Sequence, residues 1–388
     1  MKKNRLKNKG FLKRAAKITI LVIPFLFIVI FTNYSVDPGR LYFASRSDSI
    51  EIELVKILNQ GHGAEPVDNV DDRLLKREYL SLMEDGKNTI VLGSSRGALV
   101  TTDMLRLEHG ELFNSYVTGA SLQDMIALCG IMYQNGTMPE NLVIVVDPWI
   151  LNDNNSDYRF QYSLGDVYYY YLTERLGIEV DRSIVNIRPL YRGDNDAGFF
   201  TLPSDVIVNL ISITYFQASI QRVISGKWDS GTISAVDTEY GEFGLLRYDG
   251  SFSYPLDYRE SDQEAVFHRT LQAQEGVIGL EDYYELESEN KKLFIEWLTA
   301  LNEDGVSVIL VMPPLNNNIY THLMNFQRYQ NFFAVEDMLS EIADLTGAEI
   351  VGSYNPFAYG FTLEQFYDAY HLKPEGMARI LEDMPNLN

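Results

Sequence analysis

Apolar residues along this chain fall into short continuous runs separated by helical stretches, the pattern of strands buried on both faces of a sheet. NTIVLGSSR holds a strand over Thr89–Leu92 that ends in a glycine turn. LFNSYV predicts a second strand over 112–117, stopped at Gly119, and NLVIVVD a third over 141–147. VSVILVMPP (306–314) is a fourth, halted by two prolines, and GAEIVGSYNP holds a short fifth at about 349–352. Helical spacing lies between them. DDRLLKREYLSLMED starts near Asp71 or Asp72, and SLQDMIALCGIMYQNG has Ser121 as its N-cap. YYELESENKKLFIEWLTALNEDG ends near Gly305, residues 333–345 follow, and the last helix carries Pro374 in its first turn. Such alternation predicts an α/β fold with a parallel five-stranded sheet covered on both faces.

Two stretches depart from this rhythm. Residues 150–281 hold few clean strands; 14 of the 25 tyrosines lie between 150 and 290, and helical spacing is visible only at 164–176 and 204–225. This reads as an insertion in one domain over 86–388. At the other end, residues 1–17 carry eight basic residues and no acid, followed by ITILVIPFLFIVIF over 18–31. Fourteen apolar residues fall short of the roughly 20 that span a bilayer. Flanking residues out to Val36 extend the run, and lysine stems snorkel. A cleaved signal peptide is the rival reading, but FTNYSVDPGRLYF offers no small-residue cleavage site. The expectation is therefore one uncleaved N-terminal transmembrane helix over 18–36. It has a cytoplasmic tail at 1–17, a lead-in at 37–85, and the main domain outside the cell membrane.

Charge sharpens that picture. The formal net charge is -22, and without the eight N-terminal bases 24 basic residues face 54 acidic ones. A surface near -30 repels nucleic acid, which is excluded as a partner. The one cysteine, Cys129, excludes a disulfide framework and reads as a small core residue. No His/Cys/Asp cluster has ligand spacing, so neither a metal nor an organic cofactor is expected.

The candidate chemistry lies at two distant points. Gly93-Ser94-Ser95-Arg96-Gly97 sets a serine at the carboxyl end of a strand, where open α/β sheets bind ligands. Asp368-Ala-Tyr-His371 supplies a base with an orienting carboxylate three residues away. In a five-stranded parallel sheet the end of the first strand and the loop before the last helix meet at one edge. Ser94 is the competing nucleophile. Arg96 either holds an anionic substrate group or pairs with a carboxylate of the insertion. The other four histidines read as surface residues. Gly93-x-Ser95-x-Gly97 also fits the nucleophile elbow of α/β-hydrolases, but an early serine and a compact Asp-x-x-His argue against that fold.

The Gly-x-Ser turn near the start, the Asp-x-x-His near the end and the Pro-x-Gly helix after it resemble the SGNH (GDSL-type) hydrolase superfamily. The tethered layout and the LGSSR turn are similar to its cell-envelope branch, which includes DltD-like and AlgJ/AlgX-like O-acylation proteins. The resemblance covers about 85–150 and 285–385. It implies a flavodoxin-like three-layer α/β/α fold, with Ser95 as nucleophile, His371 and Asp368 completing a triad, and Gly119 as an oxyanion donor. The family's third block, usually Gly-x-Asn-Asp, reads Asp147-Pro148-Trp149-Ile150-Leu151-Asn152-Asp153 here, which leaves Asn152 as a substitute oxyanion residue. The implied function is an esterase or acyltransferase acting on acyl, chiefly acetyl, groups of a cell-envelope polysaccharide or teichoic-acid-like polymer. A membrane-bound O-acyltransferase is the implied donor partner. The alternative is a non-catalytic glycan-binding or assembly protein that keeps the fold.

Overall fold

The structure is a computed structural model. It describes residues 23–36, 50–65, 70–155, 157–180, 210–224, 233, 235–242, 244–277 and 279–387. The chain divides into two compact units. One comprises Met1–Ile50, Val67–Val70 and Tyr191–Ile233; the other comprises Glu51–Pro66, Asp71–Leu190 and Ser234–Asn388.

The larger unit is built on a five-stranded, all-parallel sheet of β1 (Thr89–Gly93), β2 (Leu112–Asn114), β3 (Asn141–Val145), β4 (Ser307–Met312) and β5 (Glu349–Gly352). Their order is 2-1-3-4-5. This is a doubly wound α/β arrangement, and the order is consistent with a flavodoxin-like fold. Every residue of β1 and β3 is buried, which is why the strands read as unbroken apolar runs. Val91, Val143, Val145, Ile309, Val311 and Val351 face one core, closed by Leu372, Met377 and Ile380 of the last loop and α8 (Pro374–Leu381). Residues of opposite parity, such as Ile90, Leu142 and Leu310, point to the other face. There α2 (Leu122–Asn135) and α5 (Glu289–Glu303) pack together, with α7 (Val335–Thr346) beside α5 and β5.

The helix starts follow side-chain chemistry. Asp71 caps α1 (Asp72–Leu82) through the N–H groups of Arg73 and Leu74. Ser121 and Asp124 close a capping box on α2. Helix α5 begins at Glu289, six residues after the periodic stretch starts at Tyr283, because the Ser288 hydroxyl accepts from the Lys291 N–H and sets the boundary there. Strand β2 is shorter than its apolar run. After Asn114 the backbone still donates to β1, Ser115 N–H to Val91 and Val117 N–H to Gly93, but it then turns away.

Residues 51–66 and 71–85 of the lead-in and most of the Tyr-rich stretch belong to this unit. Helix α1 packs on α2, and so does α3 (Gly165–Glu174), whose Val167 and Tyr171 sit against Gly130. A second, small sheet gathers Gly63–Ala64, Ala235–Val236, Leu245–Leu246 and Phe252–Ser253. It joins the lead-in to the far end of the expected insertion, leaving only 191–233 of that stretch in the other unit.

Within the smaller unit, a helix over 23–36 and a helix over Ile213–Ile224 are described. Residues 1–22, with the basic tail and the first part of the expected transmembrane helix, lie outside the described residues, as do 37–49. Among the described residues no helix is long and apolar enough to cross a membrane.

Candidate active site

Strand β1 lies inside the sheet, with β2 on one side and β3 on the other, so the turn after it sits at the point where the strand order reverses. Gly93 ends the strand with φ +142°, and a Cβ there would stand 2.6 Å from the Val145 carbonyl oxygen. A Cβ on Gly97 would meet Val145 Cγ2 at 2.9 Å. The two glycines of the motif therefore serve one purpose: they let the turn lie directly against β3. Between them Ser95–Gly97 form one 3-10 turn, with the Ser94 hydroxyl accepting from the Arg96 N–H. Ser94 is buried and also bonds Asp147; Ser95 is part-exposed.

Ser95 Oγ lies 2.9 Å from His371 Nε2. The other ring nitrogen, Nδ1, is 2.8 Å and 3.0 Å from the two oxygens of Asp368. Asp368 also accepts the N–H groups of Tyr370 (2.8 Å) and His371 (2.9 Å). Burial works against the Asp368 charge, but His371 and these hydrogen bonds outweigh it and hold the carboxyl below its usual range. A serine, an imidazole and an ionised carboxylate thus form one hydrogen-bonded chain across 276 residues of sequence. The side chains of Asp368 and His371 remain about one-fifth exposed, so this chain of groups is open to solvent.

Gly119 follows β2 with φ +58°. The carbonyls of Thr118 and Gly119 accept from Arg73, and Arg159 donates to Gly119 as well. A trans peptide aims its N–H opposite its C=O, so the Gly119 N–H faces away from Arg73. No protein acceptor among the described residues takes it. Arg73 is itself locked by a two-pronged bond to buried Asp124, 2.7 and 2.8 Å, which ties this loop to the start of α2. Asn152 is engaged elsewhere. Its amide donates to the Gly279 carbonyl at 2.8 Å and its side-chain oxygen accepts from the Asn154 N–H, so it braces two loops.

Arg96 does not pair with a carboxylate of the expected insertion. It is buried, and its partner is Asp147, at the end of β3, 3.3 Å away. The same guanidinium donates to the carbonyls of Tyr370 (3.2 Å), Pro314 (3.0 Å) and Pro313. It therefore fastens the loop carrying His371 to the ends of β3 and β4. Burial pushes the Asp147 carboxyl above its usual value, against the pull of Arg96, Ser94 and the nearby His371. Sequence spacing gave no sign of this pair, because a buried arginine and an arginine aimed at substrate read alike beside a serine.

Two features come from the Tyr-rich stretch. The turn at 247–252 docks on the serine loop. Asp249 accepts from the Thr102 N–H and hydroxyl, its carbonyl takes the Asn114 N–H, and Phe252 N–H donates to Ala98. Tyr254 then brings its ring 5.7 Å from that of His371 and 4.9 Å from that of Tyr367. Burial and the Asp368 charge keep its hydroxyl protonated well above the ordinary value. Around this aromatic group stand Arg247, Arg259 and Arg269. Arg247 and Arg259 face the Tyr240 ring, and Arg269 lies 4.0 Å over Tyr258. They donate to carbonyls and to serine hydroxyls, and none has a carboxylate within ion-pair distance among the described residues. A cleft of about 180 Å³ opens between Tyr240, Arg247 and Tyr248 on one side and Leu99 and Pro374 on the other. Ser95, His371 and Asp368 are not among its lining residues. A scan against protein-family models matches none, and a search of curated proteins finds no match.

Proposed function

We propose that this chain is a membrane-anchored, extracytoplasmic serine esterase or acyltransferase of the SGNH type. Its substrates would be acyl groups, chiefly O-acetyl, on a cell-envelope polysaccharide or teichoic-acid-like polymer. The observation that carries the proposal is the Ser95–His371–Asp368 chain at the carboxyl edge of a parallel sheet. The 2-1-3-4-5 order, with the nucleophile after the first strand, favours the flavodoxin-like three-layer fold of that superfamily over the α/β-hydrolase fold.

In this reading Ser95 Oγ attacks the ester carbonyl carbon while His371 Nε2 takes its proton. The negative charge on the carbonyl oxygen is met by the N–H groups of Ser95 and Gly119. Collapse of the tetrahedral intermediate breaks the ester C–O bond, and His371 returns the proton to the leaving alkoxide. Water or a sugar hydroxyl then attacks acyl-Ser95, losing its proton to His371, and Ser95 is released with that proton. Asp368 holds the productive tautomer throughout. Three arginines without carboxylate partners among the described residues, in so acidic a chain, favour a polymer that carries anionic groups. A membrane-bound O-acyltransferase would supply the acyl group if transfer is the reaction.

The engaged side chain of Asn152 favours a second reading, a non-catalytic glycan-binding protein. One experiment separates the two. A fluorophosphonate probe on the full-length chain is expected to label the wild type, and Ser95→Ala and His371→Ala are expected to abolish labelling without loss of fold. An unlabelled wild type, with His371→Ala equally functional in cells, sinks the catalytic reading.

A further inference from the structure

We infer that the helix over Ile213–Ile224 is a second membrane-embedded element, lying in one leaflet against the N-terminal anchor. The inference rests on the reading of 18–36 as that anchor. In the smaller unit the two helices meet along a buried stripe of the first, Val29 and Asn33, which lie one helical turn apart. Asn33 is fully buried. Its amide donates to the carbonyls of Leu210 (3.0 Å) and Ser212 (3.1 Å), and its side-chain oxygen accepts from the Ser219 hydroxyl (3.2 Å). Ser212 is where the second helix is interrupted, between the helical residues 210–211 and 213–224. An interruption frees backbone carbonyls, and in hydrocarbon every such group needs a partner inside the protein. Asparagine and serine hydrogen-bonded between helices are the usual means of supplying one there.

The outward faces have the opposite character. Ile213, Ile220, Val223 and Ile224 lie along one side of the helix, with a single polar residue, Gln217, exposed among them, and Ile213 and Ile224 are 53% and 75% exposed. The partner helix likewise exposes Phe25, Phe27, Ile28 and Phe31. Two packed helices with polar groups inside and large apolar residues outside invert the pattern expected in water and match the pattern expected in lipid. The occupant of the outer face is the acyl layer of the bilayer, continuous with the layer around the anchor. Twelve residues rise about 18 Å, short of the roughly 30 Å hydrocarbon core. In this reading the helix therefore lies within one leaflet.

Cys129 is the only cysteine and is fully buried, so an introduced cysteine can be labelled selectively. Ile220→Cys and Ile224→Cys, labelled with bimane, are compared in the full-length chain reconstituted into phosphatidylcholine–phosphatidylglycerol vesicles. Phe27→Cys reports on the anchor and Glu341→Cys on water. At 220 and 224 a blue-shifted emission is expected, quenched several-fold more by doxyl-labelled lipid than by iodide, as at 27. Quenching by iodide as at 341, with 27 still quenched by lipid, overturns this inference and spares the anchor. Protection from both quenchers, with disulfides forming between copies, assigns the face to a second copy and also overturns it. Iodide quenching at 27 removes the anchor and this inference together. If either substitution disturbs the helix pair, Ile213→Cys repeats the measurement from the other end of the stripe.

Discussion

Lys76 is fully buried within the larger unit, and its removal tests the packing beneath the serine loop. Its ammonium donates to the carbonyls of Asn114 (2.6 Å) and Gly250 (2.8 Å) and lies near the Phe113 and Tyr116 rings, with no carboxylate in contact. Burial drops its pKa from 10.5 to about 7, only partly opposed by Asp72 and Asp249. The folded value is lower than the unfolded one, so between them the unfolded chain binds more protons and stability rises with pH. The deficit is complete below about pH 7 and vanishes above pH 10.5. A difference of 3.5 units corresponds to about 5 kcal/mol. Roughly 3 kcal/mol of that returns between about pH 6.5 and about pH 9.5, a limiting slope of about 1.4 kcal/mol per unit. Lys76→Met keeps the stem and removes the titration, at the expense of two carbonyls left without a donor, about 1–3 kcal/mol. Urea denaturation followed by the fluorescence of buried Trp297 is expected to show the wild type gaining on the variant by about 3 kcal/mol over that range. Parallel pH profiles for the two proteins would refute the reasoning.

Other changes carry their own expectations. Asp368→Asn keeps the geometry but permits the wrong histidine tautomer, and is expected to slow acylation of Ser95 by about 10⁴-fold, measured as the rate of fluorophosphonate labelling. Arg96→Met leaves Asp147 buried without its cation and frees the Tyr370 carbonyl. A loss of about 3–5 kcal/mol is expected by denaturation, with much of it recovered in Arg96→Met/Asp147→Leu. Gly93→Ala meets backbone at 2.6 Å in a left-handed conformation and is expected to abolish soluble folded protein, while Gly97→Ala, pressing on a side chain at 2.9 Å, lowers the melting temperature only. If the arginines bind a polyanion, Arg247→Gln/Arg259→Gln weakens binding of an anionic glycan and flattens its salt dependence, read by titration at two ionic strengths.

The sheet was legible because its strands are buried on both faces, so each appears as an apolar run whatever its neighbours. The meeting of Ser95 with His371 followed from the same logic, since chain order alone sends both to one sheet edge. Contacts that depend on a single side chain choosing between partners were not legible. Arg96 could have faced substrate or protein, and only the packing of β3 shows that Asp147 takes it. Asn152 stands where an oxyanion residue was sought, yet Gly279, 127 residues away, claims its amide. The Tyr-rich stretch lacks clean periodicity because its contributions are short. A turn at 247–252 and a two-residue strand build part of the wall of the candidate site without any repeating pattern.

The separation of 276 positions between Ser95 and His371 also governs when the candidate site comes into being. On a chain emerging from the ribosome, Ser95 appears early and has no base until the loop at 368–371 follows. That loop is held by α8 and by Arg96, so shaving the last helix from the mature protein would strip the serine of its partner while leaving the strands paired. On the proposed reading, translation past His371 arms the site, and cleavage that removes α8 disarms it.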